Sequence, residues 1–488
     1  MKAALIKVGI LSFAAIAVAI ASIVGFRMYQ AFQGPSLEPW HKYVPAELTV
    51  KQTDATDWAG YLKAEEHIFE DVAREVVQKL PAKDQVPENR YFRGSVVYPP
   101  HFDRDWNRSY ELQPDGEPKG AVVLLHGLTD SPYSLRYIAR LYRDHGFVAV
   151  AIRLPAHGTV PAALTTVEWP EWMAATRLAV REAVRAAGPN RPLHIVGFSN
   201  GGALALKYAL DALEDPTLRA PDRLVLLSPM IGITAFARFA GVAGWAAVFP
   251  AFVNAAWLSI FPEFNPFKYN SFPVNGAVQS HRLTQALQRQ INANARAGRL
   301  ERLGPILTFQ SIVDFTVSTR AIIQSLYLQL PEGGHELVLF DINRTARLGP
   351  LLRSASDSAM TRLLPPPPRR FATTIIGNVS PTSAQAAAAR TDAGTDTEQV
   401  RELGLEYPAD NFSLSHVAVP FPPEDPLYGS HPIDPDSYGV SLGAIAPRGE
   451  VGVLIVALDS LLRVSSNPFF PYMMERIDQV IDGASARH

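Results

Sequence analysis

Apolar residues fall into short, dense runs through the middle of the chain, separated by stretches with helical spacing. Ala121–Leu125, Phe147–Leu154, Leu193–Val196, Arg223–Leu227, Pro305–Val313 and Leu337–Phe340 read as strands buried on both faces. Trp169–Ala187 and the stretch opening at Gly202-Ala203-Leu204-Ala205-Leu206 read as helices. Strands alternating with helices predict a mostly parallel, doubly wound α/β sheet. Tyr91–Tyr98 and Arg108–Leu112 read as its first strands, and the Gln113–Pro118 turn leads into Ala121. Upstream, Ile68, Val72, Val76 and Val77 form an apolar stripe on a helix over about 57–79, a neck or packing segment with no assigned chemistry. Downstream, Phe371–Ile376 reads as an edge strand, and the Ala-, Thr- and Gln-rich stretch 383–397 as a flexible loop. Val451–Leu462 and Tyr472–Ile481 read as helices packing the core.

Two longer uncharged runs need separate readings. Val8–Phe26 follows Lys2 and Lys7, is apolar all round, and is long enough to span a bilayer as one helix. The run exceeds a usual signal core, so an uncleaved anchor is expected, with Ala19-Ile20-Ala21 as the alternative cleavage site. Lys2 and Lys7 favour a cytoplasmic start and a main body outside the cytoplasm, secreted if the segment is cleaved; Arg27 pulls the other way. The second run, Phe239–Phe261, lies between two strands of one sheet, and a crossing there would split the fold across the bilayer. Pro250 and Asn254 also interrupt it. It reads as a helical cap whose aromatics Phe236, Phe239, Trp245, Phe249, Phe252, Trp257 and Phe261 are candidate walls of an apolar binding pocket, or glue between cap and core. An apolar cap on an anchored protein also suits contact with a lipid surface.

The 488 residues divide accordingly into a membrane segment (1–28), a neck (29–90), a first core part (91–229), the cap (230–300) and a second core part (301–488). The second part holds an insertion at about 345–410, with the stiff Pro365-Pro366-Pro367-Pro368 piece. A net charge of −2 gives no basic field for nucleic acid. Cysteine is absent, which excludes disulfides, thiolate nucleophiles and Cys–zinc sites. No H-E-x-x-H motif or Walker-type phosphate loop is present, so nothing visible calls for a metal or cofactor.

The chemistry-bearing motif is Gly197-Phe198-Ser199-Asn200-Gly201, set between an apolar strand and a helix. Such a strand–serine–helix turn exposes the hydroxyl at the amide-rich start of a helix, and flanking glycines relieve the crowding. A bare G-x-S-x-G also occurs in ordinary glycine-rich turns; the context raises its weight. His126-Gly127-Leu128-Thr129-Asp130 follows the strand Ala121–Leu125, where a second backbone donor is expected. The amides of Leu128 and Asn200 are the candidate oxyanion hole. His126 precedes the serine in the chain and reads as a structural histidine.

Three stretches, 124–132 (Leu-Leu-His-Gly-Leu-Thr-Asp-Ser-Pro), 153–159 (Arg-Leu-Pro-Ala-His-Gly-Thr) and 197–202 (Gly-Phe-Ser-Asn-Gly-Gly), resemble the α/β-hydrolase superfamily. The likeness is to its monoacylglycerol lipase, lysophospholipase and serine-aminopeptidase-like branch, over roughly 118–345. Ala156 stands where the family often has glycine. The resemblance implies an α/β-hydrolase fold with an inserted cap and a triad in the order serine, acid, histidine. Asp314, after the strand Pro305–Val313, is the expected acid by the family's placement, with Asp341 as rival. Of the later histidines, His335 precedes its strand and so lies at the wrong sheet edge, and His488 ends the chain. His416, in a loop with apolar anchors, is the expected base, and His431 the reserve. The insertion at 345–410 makes the histidine the weakest link.

The expected activity is hydrolysis of a hydrophobic or monoacyl-lipid carboxylic ester through an acyl-enzyme on Ser199, with Asp314 and His416. Amide or peptide hydrolysis, acyl transfer, and a non-catalytic anchored binding protein of the same fold are the alternatives. Expected partners are the small-molecule substrate and the membrane.

Overall fold

The computed structural model describes residues 35–232, 256–347, 363–444 and 465–485, with Arg463 and a few isolated positions near the amino terminus. Among these, ten strands form one sheet in the order β1-β3-β2-β4-β5-β8-β9-β10-β11-β12. They are β1 (Tyr110–Leu112), β2 (Gly120–Leu125), β3 (Phe147–Ile152), β4 (Leu193–Phe198), β5 (Arg223–Leu227), β8 (Ile306–Ser311), β9 (Glu336–Phe340), β10 (Ala372–Asn378), β11 (Gln385–Thr391) and β12 (Glu398–Glu406). A separate ribbon joins β6 (Trp257–Ser259) to β7 (Phe272–Pro273). From β3 through β10 the pairs are parallel, whereas β1, β11 and β12 run antiparallel to their neighbours. This is an α/β-hydrolase fold.

β2, β3, β4, β8 and β9 are buried along their whole length, as their continuous apolar runs require. Successive side chains serve opposite faces. Val123, Leu125 and Ile195 enter one core with the helix Trp169–Ala187, while Val122, Leu124 and Val196 enter the other with Tyr142 and the carboxyl-terminal helix Phe470–Ser485.

The neck is built into the core. Its helix Trp58–Val72 starts on Asp57, whose carboxylate accepts the Gly60 amide, and continues as a wider helical turn over Ala73–Val77. Glu65 on this helix and Glu47 before it converge on the buried Arg153. The Arg153 guanidinium donates to Glu47 at 2.8 and 2.9 Å, to Glu65 at 3.1 Å, and to the His157 carbonyl at 3.0 Å. Glu47 also accepts the Ala156 amide, and Tyr61 donates to the Arg153 carbonyl. Burial pushes the Glu65 carboxyl up, with Arg153 and Ser109 pulling against it.

Three segments differ from their sequence readings. Tyr91–Tyr98 forms turns instead of a strand, with Arg90 donating to the carbonyls of Asn265 and Gly158 and Tyr91 to that of Thr159. The strand expected over Phe371–Ile376 is internal: β11 pairs with β10, and β12 with β11. The stretch 383–397, read as a flexible loop, contains β11 itself. Alanine and glutamine are poor strand formers, and the position is set by its neighbours. Arg390 on β11 reaches Glu336 on β9 at 2.7 Å, and Arg476 of the last helix reaches the same carboxylate. The insertion thus extends the sheet by three strands, the outermost being the exposed β12.

The amino-terminal apolar run, most of the cap with its aromatics Phe236, Phe239, Trp245, Phe249 and Phe252, the stretch Val451–Leu462 and His488 lie outside the described residues. Among the described residues, no helix is long and apolar enough to cross a membrane. What is described of the cap is the β6–β7 ribbon and the helix Val274–Arg296, which lies beside the helix Asn200–Glu214 and donates from Ser280 to Asn200 at 3.2 Å.

Candidate active site

Ser199 sits where β4 turns into the helix Asn200–Glu214, with φ 54° and ψ −114°. A non-glycine residue held there stores roughly 1–3 kcal/mol of strain, so the surroundings must fix it. They do: the Ser199 amide donates to the Leu227 carbonyl at 2.9 Å, and its carbonyl accepts from Gly202 and Met230, both at 3.0 Å. The flanking glycines are sterically required. A Cβ on Gly201 would stand 1.9 Å from the Leu125 carbonyl oxygen, and one on Gly197 would stand 2.4 Å from that of Gly201.

The Ser199 hydroxyl lies 2.9 Å from Nε2 of His416. Nδ1 of the same ring lies 2.8 Å from Oδ2 of Asp314. The ring stacks on Phe198, 5.4 Å between centroids, and is buried. Asp314 follows β8; its other oxygen accepts the amides of Thr316 and Val317 at 2.7 and 3.0 Å. Gln310 donates to Oδ2 at 3.2 Å. Burial alone raises this carboxyl, but His416 and the two amides outweigh it and hold Asp314 below the usual aspartate range. The acid therefore stays ionised and accepts from Nδ1–H, leaving Nε2 to accept from the serine.

The histidine returns across the insertion through a set of clasps. Asn343, just past β9, donates to the carbonyls of Pro408 and Asn411, both at 2.8 Å, and its amide donates to that of Phe412. Ser415 donates to the Arg463 carbonyl, and Asn467 to that of Val419. Beyond the loop, Asp425 is buried against Arg136 at 2.5 Å and accepts from Tyr133 and from the amides of Leu427 and Tyr428. The Pro420–Pro426 segment is thereby pinned behind His416.

The alternatives lie elsewhere. Asp341 pairs with Arg344 at 3.2 Å and accepts the Ile342 amide. His431 is exposed and meets Ser430. His335 accepts the Ile306 amide at the far edge. His126 spans its loop, with Nδ1 donating to the Gly127 carbonyl at 2.9 Å and Nε2 accepting the Leu154 amide at 3.0 Å. It keeps Leu128 beside Ser199, and no described group accepts from the Leu128 or Asn200 amide.

A cavity of about 400 Å³ opens on Ser199 and His416. Leu128, Met230, Phe261, Phe264, Phe272 and Val417 make it largely apolar. Trp257, read as a pocket wall, does not line the cavity; it is buried edge-on against His41, 4.9 Å between centroids, packed into the core. Phe261 does line it. Asp130, Asn265, Lys268 and Arg463 are the polar lining that sequence reasoning missed. Asp130 lay inside a quoted motif, but no local pattern marks Lys268.

Residues 116–344 match the family model described as serine aminopeptidase, S33, of the type Hydrolase_4. That stretch, just under half of the chain, is similar to the α/β-hydrolase superfamily. The match covers the Ser199 turn, the Leu128 loop and Asp314, and stops before β10 and His416. Among solved structures, the chain is similar to one of the metagenome-derived lipolytic enzymes LipS and LipT, at 20% identity over 49% of this chain and 88% of that one, TM-score 0.38. It is also similar to a soluble variant of monoglyceride lipase from Saccharomyces cerevisiae, at 16% identity over 47% and 81%, TM-score 0.36. A third is the monoacylglycerol lipase of Paleococcus ferrophilus, at 17% identity over 52% and 99%, TM-score 0.36. No curated protein matches the chain.

Proposed function

We propose that this hydrolase cleaves a carboxylic ester with a hydrophobic acyl group, a monoacyl lipid being the type, through an acyl-enzyme on Ser199. The reading rests on one observation, the continuous hydrogen-bonded line from Ser199 through His416 to Asp314 at the wall of an apolar cavity. In this reading Ser199 attacks the carbonyl carbon while His416 Nε2 takes its proton. The amides of Leu128 and Asn200 receive the oxyanion, each worth about 2.7–4 kcal/mol in comparable sites. His416 then protonates the leaving alkoxide, and water repeats the sequence to release the acid. Asp314 fixes the imidazole tautomer and stabilises the imidazolium. No step calls on a cofactor.

The amino-terminal apolar run supports an enzyme anchored in a membrane, its body outside the cytoplasm. Labelling with a fluorophosphonate probe, wild type against Ser199→Ala, tests the nucleophile. Paired p-nitrophenyl ester and p-nitroanilide substrates of equal acyl length test ester against amide. Labelling that survives Ser199→Ala in folded protein refutes the first part, and faster anilide turnover refutes the second.

A further inference from the structure

We propose that Lys268 is the specificity-determining residue of the Ser199 cavity, and that it recognises a carboxylate or phosphate on the alcohol part of the substrate. The inference rests on the reading of Ser199 as nucleophile and names the substrate class for that site. Lys268 lies in the strap between β6 and β7, and its side chain lines the same cavity as Ser199 and His416. The ammonium makes no direct hydrogen bond or ion pair among the described residues, unlike Lys79, Lys83 and Lys207, which meet carboxylates. Burial holds it below the usual lysine range, with Asp130 pulling it up and Arg463 pushing it down.

Lys268 is partly exposed toward the cavity, and a cation there without a direct acceptor is open to an anion that a ligand brings. The strap that carries it is well fastened on both sides. Tyr269, next in the chain, donates from its amide to the Thr129 carbonyl at 2.8 Å, and its hydroxyl accepts the Thr159 amide at 2.8 Å. Phe267 stacks on Tyr133 at 4.3 Å, and Asn265 donates to the Tyr428 hydroxyl at 2.8 Å.

The charges around the cavity favour an anion. Arg463 lines it too, with its guanidinium on the Thr316 hydroxyl. Asp130 is the opposing carboxylate; it accepts the Ser131 amide at 2.9 Å, and burial pushes it up to about 6. Two cations face one weakened acid. The remaining lining offers an acyl chain an apolar wall. With the acyl chain on that wall, the anion that Lys268 receives belongs to the alcohol part of the substrate.

The test uses the full chain in the Ser199→Ala background and three lauroyl esters below their micellar concentrations: 1-lauroylglycerol, the lauroyl ester of glyceric acid, and 1-lauroylglycerol 3-phosphate. Binding by calorimetry is expected to be about tenfold tighter for at least one anionic ester than for the neutral one, the size of one charge-assisted hydrogen bond. The arm that wins separates carboxylate from phosphate. Adding Lys268→Met should collapse that ratio to near unity, Lys268→Arg should keep most of it, and Asp130→Asn should increase it. Equal binding of all three esters overturns the proposal, as does a ratio that Lys268→Met leaves intact. Turnover by enzyme with Ser199 present is followed separately. Activity that survives Ser199→Ala refutes the nucleophile, whereas esters cleaved through Ser199 with no anionic preference refute only the role of Lys268.

Discussion

Asn343 holds Asn411, sixty-eight positions further along the chain, by a 2.8 Å hydrogen bond from its side-chain amide to the backbone carbonyl. The same amide group holds Pro408. Together they bring the chain back to the carboxyl edge of the sheet after three extra strands, five residues before His416. Asn343→Ala should therefore lower kcat on the order of tenfold or more by loosening the imidazole, with a smaller change in KM. Steady-state kinetics on a soluble p-nitrophenyl ester, with circular dichroism to verify folding, decides it. An unchanged kcat in folded protein would assign the clasp to stability alone.

Ser199→Ala should abolish ester turnover while leaving the fold intact. Retention of more than a small fraction of kcat in a folded variant would remove Ser199 from the chemistry.

Asp314→Asn should lower kcat by several orders of magnitude, because an amide at Oδ2 favours the wrong imidazole tautomer. Asp341→Asn should do little, since Asp341 faces Arg344 and the Ile342 amide. The reverse order of effects would exchange the two roles.

Breaking the Arg153 cluster should unfold the protein more easily. Glu65→Gln leaves a buried guanidinium short of one carboxylate, a loss of about 3 kcal/mol. The urea midpoint should fall with the m value unchanged. An unaltered midpoint would show that Glu47 alone satisfies Arg153.

Acid should destabilise the fold well above the carboxylate range. Burial lowers His41, His157 and His335 to about 4 and His194 to about 3, from an ordinary 6.5. Between 6.5 and 4 the unfolded chain binds protons that the folded chain refuses. Stability is thus full above 6.5 and is lost as pH falls toward 4, by at most about 1.4 kcal/mol per histidine per pH unit. The urea midpoint should be clearly lower at pH 5.5 than at 7.5. Equal midpoints would mean that these rings accept protons without unfolding.

The parallel strands were readable from sequence because burial on both faces leaves an apolar run with no alternation. β11 was not: Gln385, Ala386, Ala387 and Ala388 carry no strand signal, and their place is fixed by β10 and by Arg390 reaching Glu336. Tyr91–Tyr98 had strand composition, but Arg90 and Tyr91 spend their donors on distant carbonyls and the backbone turns instead. At the site, Ser199, Asp314 and His416 were singled out from motif and chain order, and the structure brings those three side chains together. Lys268 and Asn265 were invisible, because what brings them to the cavity is the packing of a strap whose own residues follow no period.

The two outer added strands, β11 and β12, also change how the sheet meets other molecules. Without them β10, largely buried and carrying Ile375 and Ile376, would be the last strand and a ready template for another chain. The insertion moves that border outward to β12, which shows Glu398, Glu402 and Glu406 to solvent and commits Arg401 to Glu475. A second copy approaching edge to edge would bring glutamates against glutamates. The insertion thus acts as a guard against fibrous association, and neutralising those glutamates should make the protein more prone to aggregate.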